Sequence, residues 1–234
     1  MKDIFDKVYC ILNLDAEDRI NNVINTFNEY DINNINYIYT FYKPYNNIFE
    51  SYPSLRNNYY DEIHFNYDNT IYNKVFDCAL NHYNIIKSAY KQNLHNILVF
   101  EDDIKINVDK QVFDKIIDNI PNDYDIIKFY NLFDEYLPQT NGNNIEFIKM
   151  PINKLSLSAL MVAYSYNGMK HYIDIVEKNG FAPADIYFKT LINQENLNVY
   201  CLNTCFITNE SLPSTLVYNK QQVDVEVWEK IKDK

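Results

Sequence analysis

Three carboxylates stand side by side at Glu101-Asp102-Asp103, directly after the apolar run Asn96 to Phe100 (NILVF). Adjacent carboxylates repel one another, so they must be solvated, protonated or neutralised by a cation, and hard oxygen donors suit Mg2+ or Mn2+. A polar strand-to-loop turn whose acids face water is the alternative reading of the same triplet. Two further side chains offer chemistry by spacing alone. Cys78 and His82 lie one helical turn apart and share a face, which allows a ligand pair or a reactive thiol. With Phe76, Ala79 and Leu80 around it, Cys78 reads more simply as core.

These residues need elements to position them. NILVF has the continuous apolar pattern of a strand covered on both faces, and it places the acidic triplet at a strand's carboxyl end. The run Lys7 to Asn13 (KVYCILN) reads as an earlier strand. It is followed by a turn and a helix with Ile20, Val23, Ile24 and Phe27 at helical spacing, with Asp15 as the expected N-cap and Asp18 in its first turn. A strand is expected at Asn36 to Phe41, an irregular rim from Lys43 to Asp68, and an amphipathic helix from Thr70 to about Lys91. Beyond the triplet, Val112 to Ile120 reads as helix and Tyr124 to Phe129 as strand. Ile145 to Lys149 and Ser158 to Tyr164 are further strands, and Asn167-Gly168 marks a turn into a helix near Met169 to Glu177. Asp185 to Ile192 reads as helix, Leu197 to Leu202 as strand, and the residues around Trp228 as a terminal helix. This alternation predicts an α/β fold with a mostly parallel central sheet flanked by helices, whose ligands bind beyond the carboxyl ends of the strands. We expect one domain over residues 1–234, in two halves (1–105 and 106–205) and a C-terminal tail (206–234).

Composition narrows the partners. The 234 residues are 47% hydrophobic and 23% charged, with 22 Tyr and 14 Phe, so the chain can build a sizeable core. A formal net charge of -11 with no basic stripe argues against nucleic acid and against an anionic membrane surface. Cys10, Cys78, Cys201 and Cys205 form no CxxC pair, so free thiols in a reducing compartment are expected. No stretch has signal-peptide or membrane-spanning length, which gives a cytoplasmic expectation, in a host cell if the source is viral.

The ordered motifs carry a resemblance. Val8-Tyr9-Cys10-Ile11-Leu12-Asn13-Leu14-Asp15 with Asp18-Arg19, then Cys78-Ala79-Leu80-Asn81-His82, then Leu98-Val99-Phe100-Glu101-Asp102-Asp103, resembles the succession in glycosyltransferase family 25. That family includes bacterial lipooligosaccharide glycosyltransferases and collagen galactosyltransferases. Tyr124-Asp125-Ile126-Ile127, Ser165-Tyr166-Asn167-Gly168-Met169 and Pro183-Ala184-Asp185 are similar to its later segments, so order and spacing agree from Val8 to Asp185. The sequence departs from the family pattern at Asn81, where Ser is usual, at Asp77, where Gly is usual, and at Ile186, which replaces a frequent acid.

The resemblance implies a GT-A type transferase fold whose nucleotide-binding half is 1–105 and whose acceptor half is 106–205, a nucleotide-sugar donor such as a UDP-sugar, and Mn2+ or Mg2+ held by Asp103 with Glu101 or Asp102. It implies that Asn13, Leu14 and Arg19 border the nucleotide, with Arg19 either a phosphate or ribose contact or a solvated first-turn arginine. His82 is expected to donate a hydrogen bond to the donor-site loop. An inverting transfer to a glycan or protein hydroxyl needs a general base, for which Asp185 is the first candidate and Asp134 or Glu135 the reserve. Asp185 also suits the N-cap of the following helix. Tyrosines at Tyr37 to Tyr45 and Tyr59-Tyr60 suit either sugar stacking or plain packing. Two other classes stay open: a non-catalytic nucleotide- or glycan-binding protein on the same fold, and a metal-dependent phosphohydrolase.

Overall fold

The computed structural model describes residues 4–13, 16–40, 69–130, 145–150, 158–180, 184, 187–192, 196–204 and 206–209. The strand predicted from KVYCILN forms over Lys7–Asn13 (β1), with every residue after Lys7 buried. The chain then turns, the Ala16 amide donating to the Asn13 carbonyl, and enters α1 (Glu17–Glu29). The N-cap of α1 is Ala16, which has no capping side chain; its carbonyl accepts from the Arg19 and Ile20 amides, and the expected cap Asp15 lies outside the described residues. Edge strand β2 (Ile35–Thr40) follows. The stretch from Lys43 to Asp68 also lies outside the described residues. Helix α2 (Asn69–Lys91) leads into β3, which runs Asn96–Glu101 and so includes the first acid of the triplet.

The remaining elements are β4 (Ile104–Ile106), α3 (Lys110–Asp118), β5 (Ile126–Lys128), β6 (Phe147–Lys149) and β7 (Met161–Ser165). They continue with α4 (Tyr166–Asn179), α5 (Tyr187–Ile192), β8 (Val199–Leu202) and β9 (Ile207–Asn209). Seven strands form one sheet in the order β2-β1-β3-β7-β5-β8-β6. Strands β1, β2, β3, β5 and β8 run one way, while β7 and β6 run against their neighbours. The expected mostly parallel α/β sheet is therefore present, with two reversed strands that the apolar periodicity alone does not orient. Strands β4 and β9 pair in a separate antiparallel ribbon, which the sequence reading did not anticipate.

Helices cover both faces, as alternation requires. Val23 and Phe27 of α1 and Phe113, Ile116 and Ile117 of α3 pack with Val8, Cys10, Leu98 and Phe100 on one face. Ala79, Tyr83 and Ile86 of α2, Tyr172 and Val176 of α4, and Phe188 of α5 pack with Tyr9, Ile11, Ile97 and Val99 on the other. The alternation of side chains along β1 and β3 divides these two layers. Among the described residues, no helix is long and apolar enough to cross a membrane.

One correction concerns Asn167-Gly168, expected as a turn. Both lie in the first turn of α4, whose N-cap is Ser165; its hydroxyl accepts from the Gly168 amide at 3.1 Å. The glycine is required by packing, because a Cβ at position 168 would run into the Asp125 carbonyl oxygen. Asp125 is itself a tie point: its carboxylate accepts from Asn167 Nδ2 at 2.9 Å and from the Asn198 amide at 2.8 Å, joining the start of α4 to the approach to β8.

Candidate active site at the end of the parallel strands

The connection from β1 through α1 leads to β2 on one side, and the next connection, through α2, returns the chain to β3 on the other. Between β1 and β3 the strand order reverses, and the space beyond their carboxyl ends is the usual ligand position in open α/β sheets. Asn13 ends β1 and Glu101 ends β3, so the acidic triplet sits at this switch point, where the sequence places it.

The three acids go to different partners. Asp102, 6% exposed, accepts from the Asn13 amide at 2.7 Å through Oδ2 and from Arg19 Nη1 at 2.6 Å through Oδ1. Arg19 is 5% exposed, which rules out the solvated reading, and its Nη2 lies 3.6 Å from Asp103 Oδ2. Glu101 turns to the opposite helical layer: its Oε1 lies 3.0 Å from His82 Nε2 and 3.4 Å from Cys78 Sγ. A carboxylate oxygen only accepts, so Nε2 carries the imidazole proton in this arrangement.

Cys78 is thus not simple core filling. Its thiol donates to Glu101 and it is only partly buried. The signal in the sequence was the four-residue spacing to His82, which puts thiol and imidazole on the face of α2 turned toward β3. His82, expected to bond the donor-site loop, is fully buried and bonds the first acid of the triplet. Leu14 and the candidate bases Asp185, Asp134 and Glu135 lie outside the described residues.

The electrostatics test whether a cation suits the cluster. Burial pushes the Asp102 carboxyl up, and the Arg19 charge and the Asn13 amide only partly restore it. Burial also pushes Glu101 up, but hydrogen bonding and charge from His82, then Cys78 and Arg19, outweigh it and leave the group below its ordinary value. The negative field reaches both faces of the sheet. The Cys10 thiol is pushed up by burial and then by Asp102 and Glu101, and the Tyr164 hydroxyl by burial and then by Glu101. One guanidinium set against three carboxylates leaves an excess of negative charge that a hard divalent cation would offset, although Asp102 already accepts on both oxygens and Glu101 faces the other layer.

A doubly covered α/β sheet with an acidic cluster at its switch point defines the class, and sequence comparison sharpens it. Residues 5–184, well over half of the chain, match Glycosyltransferase family 25 (LPS biosynthesis protein). The chain belongs to glycosyltransferase family 25. A comparison with curated proteins found no match. Similar solved structures include a glycosyltransferase involved in the glycosylation of the major capsid of PBCV-1, at 10% identity and a TM-score of 0.34. That likeness covers 74% of this chain, which spans 64% of the other's length. Another is 4-diphosphocytidyl-2C-methyl-D-erythritol synthase from Anaerococcus prevotii DSM 20548, at 11% identity and a TM-score of 0.36, covering 98% of this chain and 79% of that one.

Proposed function

We propose that the protein is a metal-dependent, inverting GT-A type hexosyltransferase that moves a sugar from a UDP-sugar to a hydroxyl of a glycan or glycoprotein acceptor. The observation that carries this reading is the convergence of Asn13, Arg19, Asp102 and Asp103 at the β1/β3 switch point, directly after Glu101 ends β3. Asp103, with Glu101 or Asp102, would hold Mn2+ or Mg2+. Such an ion, when bound, neutralises charge on the departing nucleotide diphosphate.

The chain's own residues set the geometry. Arg19 fixes the Asp102 rotamer and draws Asp103 to the same side, so the guanidinium serves the donor through the acids it orients. The Asn13 amide locks the end of β1 to the start of the acidic turn. In this reading Asn13 and Leu14 are the residues assigned to the nucleotide. His82 holds Glu101 from beneath, where a fully buried imidazole has no freedom to swing away. Asp185, the general base in this reading, takes the acceptor proton from the side opposite the leaving group.

Isothermal titration with UDP, GDP and CMP, each in Mn2+ and again in EDTA, tests the reading. Metal-dependent binding of UDP, lost in Asp103→Ala with the fold intact by circular dichroism, is the expected result. An Asp103→Ala protein that binds UDP and Mn2+ as well as the unaltered chain would remove Asp103 from the site.

A further inference from the structure

The Cys78–His82–Glu101 cluster is unlike the rest of the site in its chemistry. A hard cation prefers oxygen donors, whereas this group offers sulfur, imidazole nitrogen and carboxylate oxygen, a set that selects borderline or soft ions. The three ligand atoms all lie within 4.8 Å of one another. His82 Nε2 is 3.0 Å and Cys78 Sγ 3.4 Å from Glu101 Oε1. Zinc bonds of about 2.3 Å to sulfur and about 2.0–2.2 Å to nitrogen and oxygen, opened to the tetrahedral angle, separate ligand atoms by roughly 3.4–3.6 Å. The two pairs that share Glu101 Oε1 are within a few tenths of an ångström of those separations, and Sγ and Nε2 lie within 4.8 Å of each other.

The supporting frame is rigid. Cys78 and His82 sit one turn apart on α2, a 23-residue helix, and Glu101 ends a strand whose four central residues are all buried. The imidazole is completely buried, and among the described residues its Nδ1 has no hydrogen-bond partner. That nitrogen is the place to which the ring proton can move when Nε2 becomes a ligand. The partly exposed Glu101 side chain, at 22%, marks the side on which an ion enters and on which water completes the fourth position.

We propose that Cys78 Sγ, His82 Nε2 and Glu101 Oε1 form a Zn2+-class site with three protein ligands and one open position, separate in chemistry from the hard-ion site at Asp103. On binding, the Cys78 thiol gives its proton to solvent, the imidazole proton passes from Nε2 to Nδ1, and no electrons are exchanged. The site reads as independent of any nucleotide, so its test does not depend on donor binding.

The test is Co2+ titration of the full chain, reduced and free of nucleotide, followed by Zn2+. The unaltered protein is expected to show a thiolate-to-Co2+ charge-transfer band and tetrahedral visible bands that Zn2+ bleaches. Cys78→Ser should abolish the charge-transfer band, His82→Asn should remove the tetrahedral visible bands, and Asp103→Asn should retain both. Circular dichroism establishes folding of each variant, and Zn2+ should raise the Tm of the unaltered chain but not of Cys78→Ser. Absence of the band in the unaltered chain, or its persistence in Cys78→Ser, would overturn the assignment.

Discussion

Glu101 and Asp102 are neighbours in the chain, yet the structure treats them oppositely. Asp102 turns to the layer that contains α1 and is gripped by a guanidinium and a backbone amide, groups whose charge and donor capacity do not change with pH. Glu101 turns to the layer that contains α2 and is gripped by an imidazole and a thiol, both of which are metal-binding groups. A strand passes side chains alternately to its two faces, so one acidic turn at its end can be anchored from both layers at once. The lesson is that the donor-side acids are held by two unlike devices, one fixed and one adjustable.

The contrast can be broken most forcefully at Arg19. Arg19→Ala leaves Asp102 buried without its counter-charge and should cost about 3–5 kcal/mol, read from urea unfolding. A loss within about 1 kcal/mol would show that the grip on Asp102 is not what organises the turn. His82→Ala removes the partner of a carboxylate that water can partly reach, so the expected loss is smaller, about 1–3 kcal/mol, measured the same way.

Carboxyl titration by NMR sharpens the contrast without a stability measurement. Glu101 should titrate below its ordinary 4.5 and Asp102 above its ordinary 3.8. The signs of their stability contributions then differ. That of Glu101 is present above 4.5 and is lost as pH falls through its lowered value, while that of Asp102 is present below 3.8 and is lost as pH rises through its raised value. In His82→Ala, burial should prevail and move Glu101 upward; in Arg19→Ala, Asp102 should move further up. Shifts of both groups in the same direction in the unaltered chain would dissolve the distinction.

The smallest effect is expected away from the strand end. Lys87 of α2 and Glu177 of α4 pair at 2.7 Å, but their side chains are 34% and 46% exposed. Lys87→Met should change stability by only about 0–1 kcal/mol in the same unfolding assay, and less at high salt. Water can take over from the protein partner of each charge there, which is the condition Asp102 lacks.

Much of this arrangement was legible in the residues. KVYCILN and NILVF are short apolar runs of strand length, and the acids that cut off NILVF mark the end of β3 to within one residue. The long helix before it was equally clear, because apolar residues recur at helical spacing over many turns. Orientation was not legible: β7 (MVAYS) is as apolar as a parallel strand, and only its hydrogen bonds to β3 and β5 show that it runs the other way. The ribbon of β4 and β9 was missed because Ile104–Ile106 is three residues long and its partner lies a hundred residues away. Within the site, residue types pointed to a cation, but which acid meets which base is decided by rotamers that no spacing encodes. Cys78 shows this most plainly, since its apolar neighbours in sequence argued for core while its fold neighbours are an imidazole and a carboxylate.

The reversed strand β7 also bears on how the chain reaches this state. Leu98, Val99 and Phe100 of β3 are wholly buried, and one edge of that strand is closed by Met161–Ser165. During synthesis, β1, β2 and β3 emerge well before that cover, so a sticky strand edge waits through the whole stretch between Glu101 and Met161. Chains cut short before β7 therefore carry an open template for pairing with other chains, and aggregation rather than a stable half-domain is their natural fate.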